Sequence, residues 1–245
     1  MKKRLVVCAA WMALSWAAPQ VAYAQQQGCE ALVAVNYVGS GLSVEQQDKR
    51  SKLNTEFLQR LVQSSSITIE LDPVQGLKAL AEVHSGRVDL IIGVNAEPAQ
   101  DARLDYLSPA YLQKSFRLWV RTAEHRSVTQ WPELSGLRGV QLLDTQQLSD
   151  FKQQAQLLNW PLRTIESLDR AVKEVLEGRA DYLLAEQQTV QQYLAKHDLE
   201  RRFEFIDPPV EVHKFFLAMS KDSACNTPQL RKSLSQALNK LLDAQ

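Results

Sequence analysis

Apolar positions along this chain fall into short runs divided by polar stretches, and their spacing switches between the periods of strand and helix. Leu32 to Val35 reads as a strand, residues 38 to 50 as a polar loop, and Leu53, Phe57 and Leu61, four apart, as one face of a helix. Ile67 to Leu71 is a second strand and Val74 to His84 a helix. Val88 to Gly93 is a continuous apolar strand of the kind buried on both faces. The order strand, helix, strand, helix, strand predicts a parallel α/β sheet.

The same order restarts downstream. Strands are expected at Gly139 to Leu143, Leu162 to Ile165 and Asp181 to Ala185, with helices at Gln146 to Leu158 and Ser167 to Glu177 between them. Gly86-Arg87-Val88-Asp89 and Gly178-Arg179-Ala180-Asp181 repeat the motif Gly-Arg-x-Asp before an apolar run, 92 residues apart. Each glycine is expected to end a helix in a left-handed cap, and each aspartate to open a buried strand. Ser115 to Arg121 alternates as an extended segment, and Phe215 to Ser220, after Pro208-Pro209, gives a second extended crossing. The chain therefore leaves a first lobe (26–118), builds a second (119–208) and returns to the first (209–245). A final helix from Thr227 to Leu242, with Leu230, Leu234, Leu238 and Leu241 as its stripe, packs on the first lobe.

Composition narrows the class. Of 245 residues, 45% are hydrophobic and 23% charged, which suits two small lobes and excludes a disordered tail or a polytopic membrane protein. Lys2, Lys3 and Arg4 precede an apolar run from Leu5 to Ala18, and Ala22-Tyr23-Ala24 is a small-x-small cleavage pattern. Residues 1 to 24 therefore read as a signal peptide, too short for a membrane span, and the protein as soluble and periplasmic. The rest carries 25 bases against 28 acids, a net charge of −3, which gives no basic surplus for nucleic acid.

Export also changes the reading of the cysteines. Cys8 leaves with the leader, and Cys29 and Cys225 remain in an oxidising compartment, where two thiols form one disulfide. The returning chain brings Cys225 back toward the first strand, which Cys29 opens. His84, His125, His197 and His213 lie far apart without zinc-site spacing, so neither a metal nor a cofactor is expected. Gly39-Ser40-Gly41 lacks the third glycine of a dinucleotide fingerprint.

Four motifs in order resemble the type II periplasmic solute-binding proteins of the polar-amino-acid class, which serve ATP-driven importers. They are Ser85 to Gly93, Asp105-Tyr106-Leu107-Ser108-Pro109-Ala110-Tyr111, Leu134-Ser135-Gly136-Leu137-Arg138-Gly139-Val140, and Gly178 to Asp181. The resemblance spans essentially the whole chain after the leader. It implies a two-lobe type II periplasmic-binding-protein-like α/β fold, with two parallel or mixed sheets joined by two crossing strands. The sequence departs from the family where the family touches its ligand. Gln100 stands at the position of the family's carboxylate-clamping Arg, Asn95-Ala96-Glu97-Pro98 replaces its threonine loop, and Glu186 takes the place of its ammonium-binding Asp.

Parallel α/β sheets bind ligands beyond the carboxyl ends of their strands. That rule nominates Tyr37, Asn95, Glu97 and Gln100 in the first lobe, and Asp144, Thr145 and Glu186 in the second. Tyr37 either caps a strand end or stacks on a ligand, and Thr145 either caps a helix or contacts one. Glu97 and Gln100 also fit a solvated loop. Arg103 is a surface residue unless its loop is helical and turns it inward to replace the missing Arg. A carboxylate closing a buried strand is costly without a partner, which singles out Glu186.

The leading expectation is a monomeric, non-enzymatic binding protein that closes on a small amino acid or amine-like solute and presents it to a membrane permease. The cleft is expected to favour a cationic group and to discriminate weakly for an α-carboxylate. Two alternatives are a ligand-sensing partner of a membrane receptor and a dehydratase on the same scaffold, with Glu186 as acid or base.

Overall fold

A computed structural model describes residues 29–39, 44–96, 101–124, 128, 130–142 and 148–244. The expected leader and Glu97, Gln100, Asp144 and Thr145 lie outside them. The first α/β unit runs β1 (Leu32–Asn36), α1 (Val44–Ser64), β2 (Ile69–Gln75), α2 (Gly76–His84), β3 (Leu90–Asn95). The crossing strand β4 (Leu104–Arg121) leads to the second unit. That unit comprises β5 (Gly139–Leu142), α3 (Ser149–Leu157), β6 (Leu162–Ile165), α4 (Leu168–Leu176), β7 (Tyr182–Glu186), α5 (Gln187–Lys196) and β8 (Phe203–Phe205). The chain returns through β9 (Glu211–Ser220) and ends on α6 (Pro228–Asp243).

Within each unit the strands pair in parallel, β2-β1-β3 and β7-β5-β6, because a helix joins each strand to the next in the unit and carries the chain back over the sheet. The long antiparallel strands β9 and β4 lie between the units and join the two expected sheets edge to edge, in the order β2-β1-β3-β9-β4-β7-β5-β6. Both faces of each half are covered. In the first, Leu32, Ala34 and Leu217 meet α1 and α6 on one side, and Val35, Ile91 and Ala218 meet α2 on the other. In the second, Val140, Leu183 and Ala185 pack against α4 and α5, while Tyr182 and Leu184 pack against Phe151 and Trp160. Neighbouring residues on one strand thus feed opposite cores, which is why these strands read as unbroken apolar runs.

Several boundaries differ from expectation for identifiable reasons. α1 begins at Val44, inside the segment read as a polar loop; its first turns carry no apolar stripe, its buried residues start at Asn54, and Val44 is 75% exposed. β2 continues through Pro73 to Gln75 as an outer strand, where proline is tolerated, so α2 starts at Gly76. α5 and β8 were not anticipated, although Val190 and Leu194 on α5 already show the i, i+4 spacing. The stripe on α6 is as expected, with Leu234, Leu238 and Leu241 buried, Leu230 partly so, and Thr227 capping the helix by accepting from Leu230 N–H. Cys29 and Cys225 form a disulfide that ties the start of β1 to the approach to α6.

Candidate functional site

The registers of β4 and β9 place the carboxyl ends of the two units face to face. Asn95, the last residue of β3, lies opposite Phe215, which also lies opposite Leu112. Glu186, the last residue of β7, lies opposite Phe116, which is opposite Glu211. Three residues of each crossing strand separate those levels: Gln113, Lys114 and Ser115 on β4, and Val212, His213 and Lys214 on β9. At strand rise this is about 13 Å. β3 runs toward the second unit and β7 toward the first, so two sets of strand ends open on one gap spanned by two short segments of backbone.

On the first side, the end of β1 is built around a buried polar network. Asn54, fully buried on α1, donates to Asn36 Oδ1 at 2.7 Å and accepts the Tyr111 hydroxyl at 2.5 Å. Asn36 in turn donates to the Ser51 carbonyl at 2.9 Å. Tyr111 reaches Asn54 because the register of β4 shifts between Leu107 and Leu112, so that the Ser-Pro-Ala-Tyr segment bulges out of the ladder. Burial pushes the Tyr111 phenol well above its ordinary pKa, with the nearby positive charge of Arg50 opposing. Gly93 makes the close approach possible. It has φ +98°, and a Cβ there would stand 2.0 Å from the Tyr37 carbonyl oxygen and 2.7 Å from Asn54 Nδ2.

Arg50 belongs to the same strand end. It lies one turn before Asn54 on α1, and its guanidinium carbon is 4.5 Å from the centre of the Phe215 ring, at the level of Asn95. Its position was not expected from the sequence, since it falls among the polar residues read as a loop. The available signal was its spacing of four from Asn54, visible only once α1 is known to begin at Val44.

On the second side, Glu186 is 6% exposed and caps α5. Its Oε1 accepts Gln188 N–H at 2.9 Å, and its Oε2 accepts Thr189 N–H at 2.7 Å and the Thr189 hydroxyl at 2.5 Å. The partner that a buried carboxylate requires is thus supplied by its own helix. An ionised carboxylate offers roughly four acceptor positions, so three such bonds leave room for a donor arriving from the gap.

The other nominated residues separate. Tyr37 follows β1 at the gap, its N–H bonded to the Ile92 carbonyl at 2.8 Å, and its half-buried ring packs toward the α2 core. Asn95 stands at the gap by register. Arg103 does not belong with them. Its carbonyl accepts Lys221 N–H, and the next residue, Leu104, pairs with Ser220, five residues along β9 from Phe215. That is about 17 Å from the Asn95 level, at the amino end of β3, and the Arg103 side chain is 61% exposed beside Asp101. Among the described residues no group of three or more His, Cys, Asp or Glu is placed to hold a metal ion, and no described helix is long and apolar enough to cross a membrane.

No protein-family model matches this chain, and no curated protein sequence does. Solved structures do. The L-cystine solute receptor of Neisseria gonorrhoeae, unliganded and open, aligns at 18% identity and TM-score 0.58 over 88% of this chain and 89% of that one. The second substrate-binding domain of GlnP from Lactococcus lactis, also open, aligns at 15% and 0.56 over 88% and 90%. An ancestral cationic amino acid solute-binding protein aligns at 17% and 0.54 over 88% and 91%. At such identities the likeness shows the fold, which is the two-lobe periplasmic-binding-protein-like type II architecture.

Proposed function

We propose that this chain is a periplasmic solute-binding protein that captures an amino acid or an amine-like solute between its lobes and presents it to a membrane importer. The observation that carries this reading is the opposition of Asn95 and Glu186 across three-residue crossings. Two rigid halves joined only by short extended segments can close by bending there, leaving both cores intact. The lobes would comprise residues 26–118 with 209–245, and 119–208. The disulfide and the basic, apolar leader support export, and the aligned solved structures include receptors for amino acids.

Charge supports a zwitterionic or cationic solute. Glu186 brings a carboxylate to the gap from the second lobe, and Arg50 brings a guanidinium to the facing end of the first. The solute ammonium would sit against Glu186. Arg50 adds to the expectation from Gln100 alone, because it places a positive charge at this end of the first lobe.

A thermal-shift screen over amino acids, polyamines, organic acids and small peptides tests the reading, since a solute that binds only the folded state raises the unfolding midpoint. Glu186→Gln should weaken the best solute by about tenfold or more in calorimetry, as expected when one member of a desolvated pair is neutralised. A screen without any stabilising solute, or an affinity untouched by Glu186→Gln, would count against it.

A further inference from the structure

The β9 crossing carries a histidine at its centre. Side chains alternate along a strand, so Glu211, His213 and Phe215 share one face of β9. Directly opposite residues of an antiparallel pair share a face as well. That adds Phe116, which is opposite both Glu211 and Glu186, and Lys114, which is opposite His213. Arg50 stands over Phe215 on the same face. Glu186 and Arg50 therefore lie on one side of the crossings, with His213 between their levels.

His213 touches both halves. Its ring centre is 5.1 Å from that of Phe116, at the Glu186 level, and 6.4 Å from that of Phe215, at the Asn95 level. Its Nε2 lies 2.6 Å from Glu211 Oε1, and the Glu211 carboxylate has no other side-chain partner among the described residues. Glu211 is two strands from Glu186, with Phe116 between them, or about 10 Å across the sheet. The charged groups facing His213 among the described residues are thus Glu211 on β9, Lys114 on β4, Arg50 on α1 and Glu186 on β7, two of each sign. Of these side-chain types and the imidazole, only imidazole ordinarily exchanges its proton between about pH 5 and 8.

We propose that a cationic solute and a proton on His213 compete for the interlobe gap, so that capture of the solute releases the proton; the proposal rests on the solute-binding reading above and adds its regulation. Two effects act in the same direction. A solute ammonium at Glu186 or Glu211 brings a like charge to the imidazolium, which disfavours it. Bending at residues 212–214 also closes the lobes on a ring set between Phe116 and Phe215, and loss of water disfavours its charged form. Neutral His213 leaves the Glu211 carboxylate to the solute, whereas protonated His213 holds it. By linkage the proton weakens the solute as much as the solute weakens the proton. Affinity is therefore low where His213 is charged and rises with pH.

L-Lysine is the probe, because it carries two ammonium groups for the two carboxylates, and L-glutamine, which lacks the second, is the control for binding itself. Calorimetry on the full chain should find L-lysine about tenfold tighter at pH 8 than at pH 5.5. At pH 6.5 its binding heat should differ between phosphate and Tris in the sense of proton release. Both differences should vanish in His213→Gln, which keeps a donor for Glu211 and takes up no proton. Should that variant not fold, the wild-type His213 Cε1–H resonance serves: saturating L-lysine at pH 6.5 should move it toward its high-pH position. Equal affinity at the two pH values, proton uptake, or a pH dependence kept in His213→Gln would overturn the proposal and leave the solute-binding reading standing. Binding of L-glutamine without L-lysine would do the same. Failure of both to bind would also overturn it, the wider solute screen then deciding the solute-binding reading.

Discussion

Asp89 and Val33 bind each other twice: Asp89 Oδ2 accepts Val33 N–H at 2.8 Å, and Asp89 N–H donates to the Val33 carbonyl at 3.0 Å. Asp181 and Arg138 repeat the exchange in the second lobe, at 2.8 and 2.7 Å. The Gly-Arg-x-Asp motif is thus a device for starting a buried strand, in which the aspartate pairs an N–H near the start of the neighbouring strand before the ladder between the two begins. The remaining oxygen accepts Ser223 Oγ–H at 2.6 Å in the first lobe and Arg138 Nη2–H at 2.9 Å in the second. Asp89→Asn and Asp181→Asn turn an acceptor into a donor facing donors. Each should lower unfolding stability by about 1 to 3 kcal/mol in urea titrations.

Gly93→Ala should destabilise by about the same amount or more, because the new methyl would run into a backbone oxygen at a positive φ. The same substitution at Gly136, which has a positive φ but open space around it, should cost less. Comparing the two variants in urea isolates the close approach from backbone strain.

Glu174 is buried on α4 amid Arg163, Arg170 and Arg179, and the hydrogen bond from Arg163 at 2.5 Å chiefly holds its carboxyl below the ordinary range, against the opposing effect of burial. A depressed folded-state value stabilises the fold only while the carboxylate is charged. The stability difference between wild type and Glu174→Gln should therefore be full at neutral pH. It should begin to shrink near the unfolded carboxyl value of about 4.3 and vanish once the pH falls below the folded value. Urea midpoints measured from pH 7 to pH 3 check this.

The disulfide closes nearly the whole described chain, with 196 residues separating its partners. Chain entropy puts the contribution of such a loop at about 4 to 5 kcal/mol. Reduction, or Cys29→Ser with Cys225→Ser, should lower the midpoint accordingly, and the denatured, unreduced protein should show no free thiol from this pair.

Much of the scaffold is legible in the sequence because local patterns and buried strands coincide. β6 falls at Leu162–Ile165 as expected, and Ser167 caps α4 by accepting Arg170 N–H. The misjudged parts depend on contacts distant in the chain. β4 extends from Leu104 to Arg121 because β9 supplies its ladder, which no alternation around Pro109 reveals. Tyr111 and Asn54 are 57 residues apart, and Arg50 acquires its place only from Phe215. Glu186 stands out in the sequence as a buried carboxylate in need of a partner, and its first partners are the donors at the start of α5, a helix whose buried positions, Val190 and Leu194, are too few to mark it in the sequence.

Arg50→Met should separate solute classes. The loss of its charge should weaken a carboxylate-bearing solute by about tenfold while leaving an amine without a carboxylate nearly unchanged, as calorimetry would show. The accompanying loss of the contact with Phe215 should cost only about 0.5 to 1 kcal/mol of stability.

Closure of the lobes on a solute is most directly measured by small-angle X-ray scattering of the full chain, free and saturated with the solute that most raises its unfolding midpoint. Bending at residues 113–115 and 212–214 predicts a smaller radius of gyration on saturation, with the change lost in Glu186→Gln at the same solute concentration. Superimposable curves for the free and saturated protein would contradict closure.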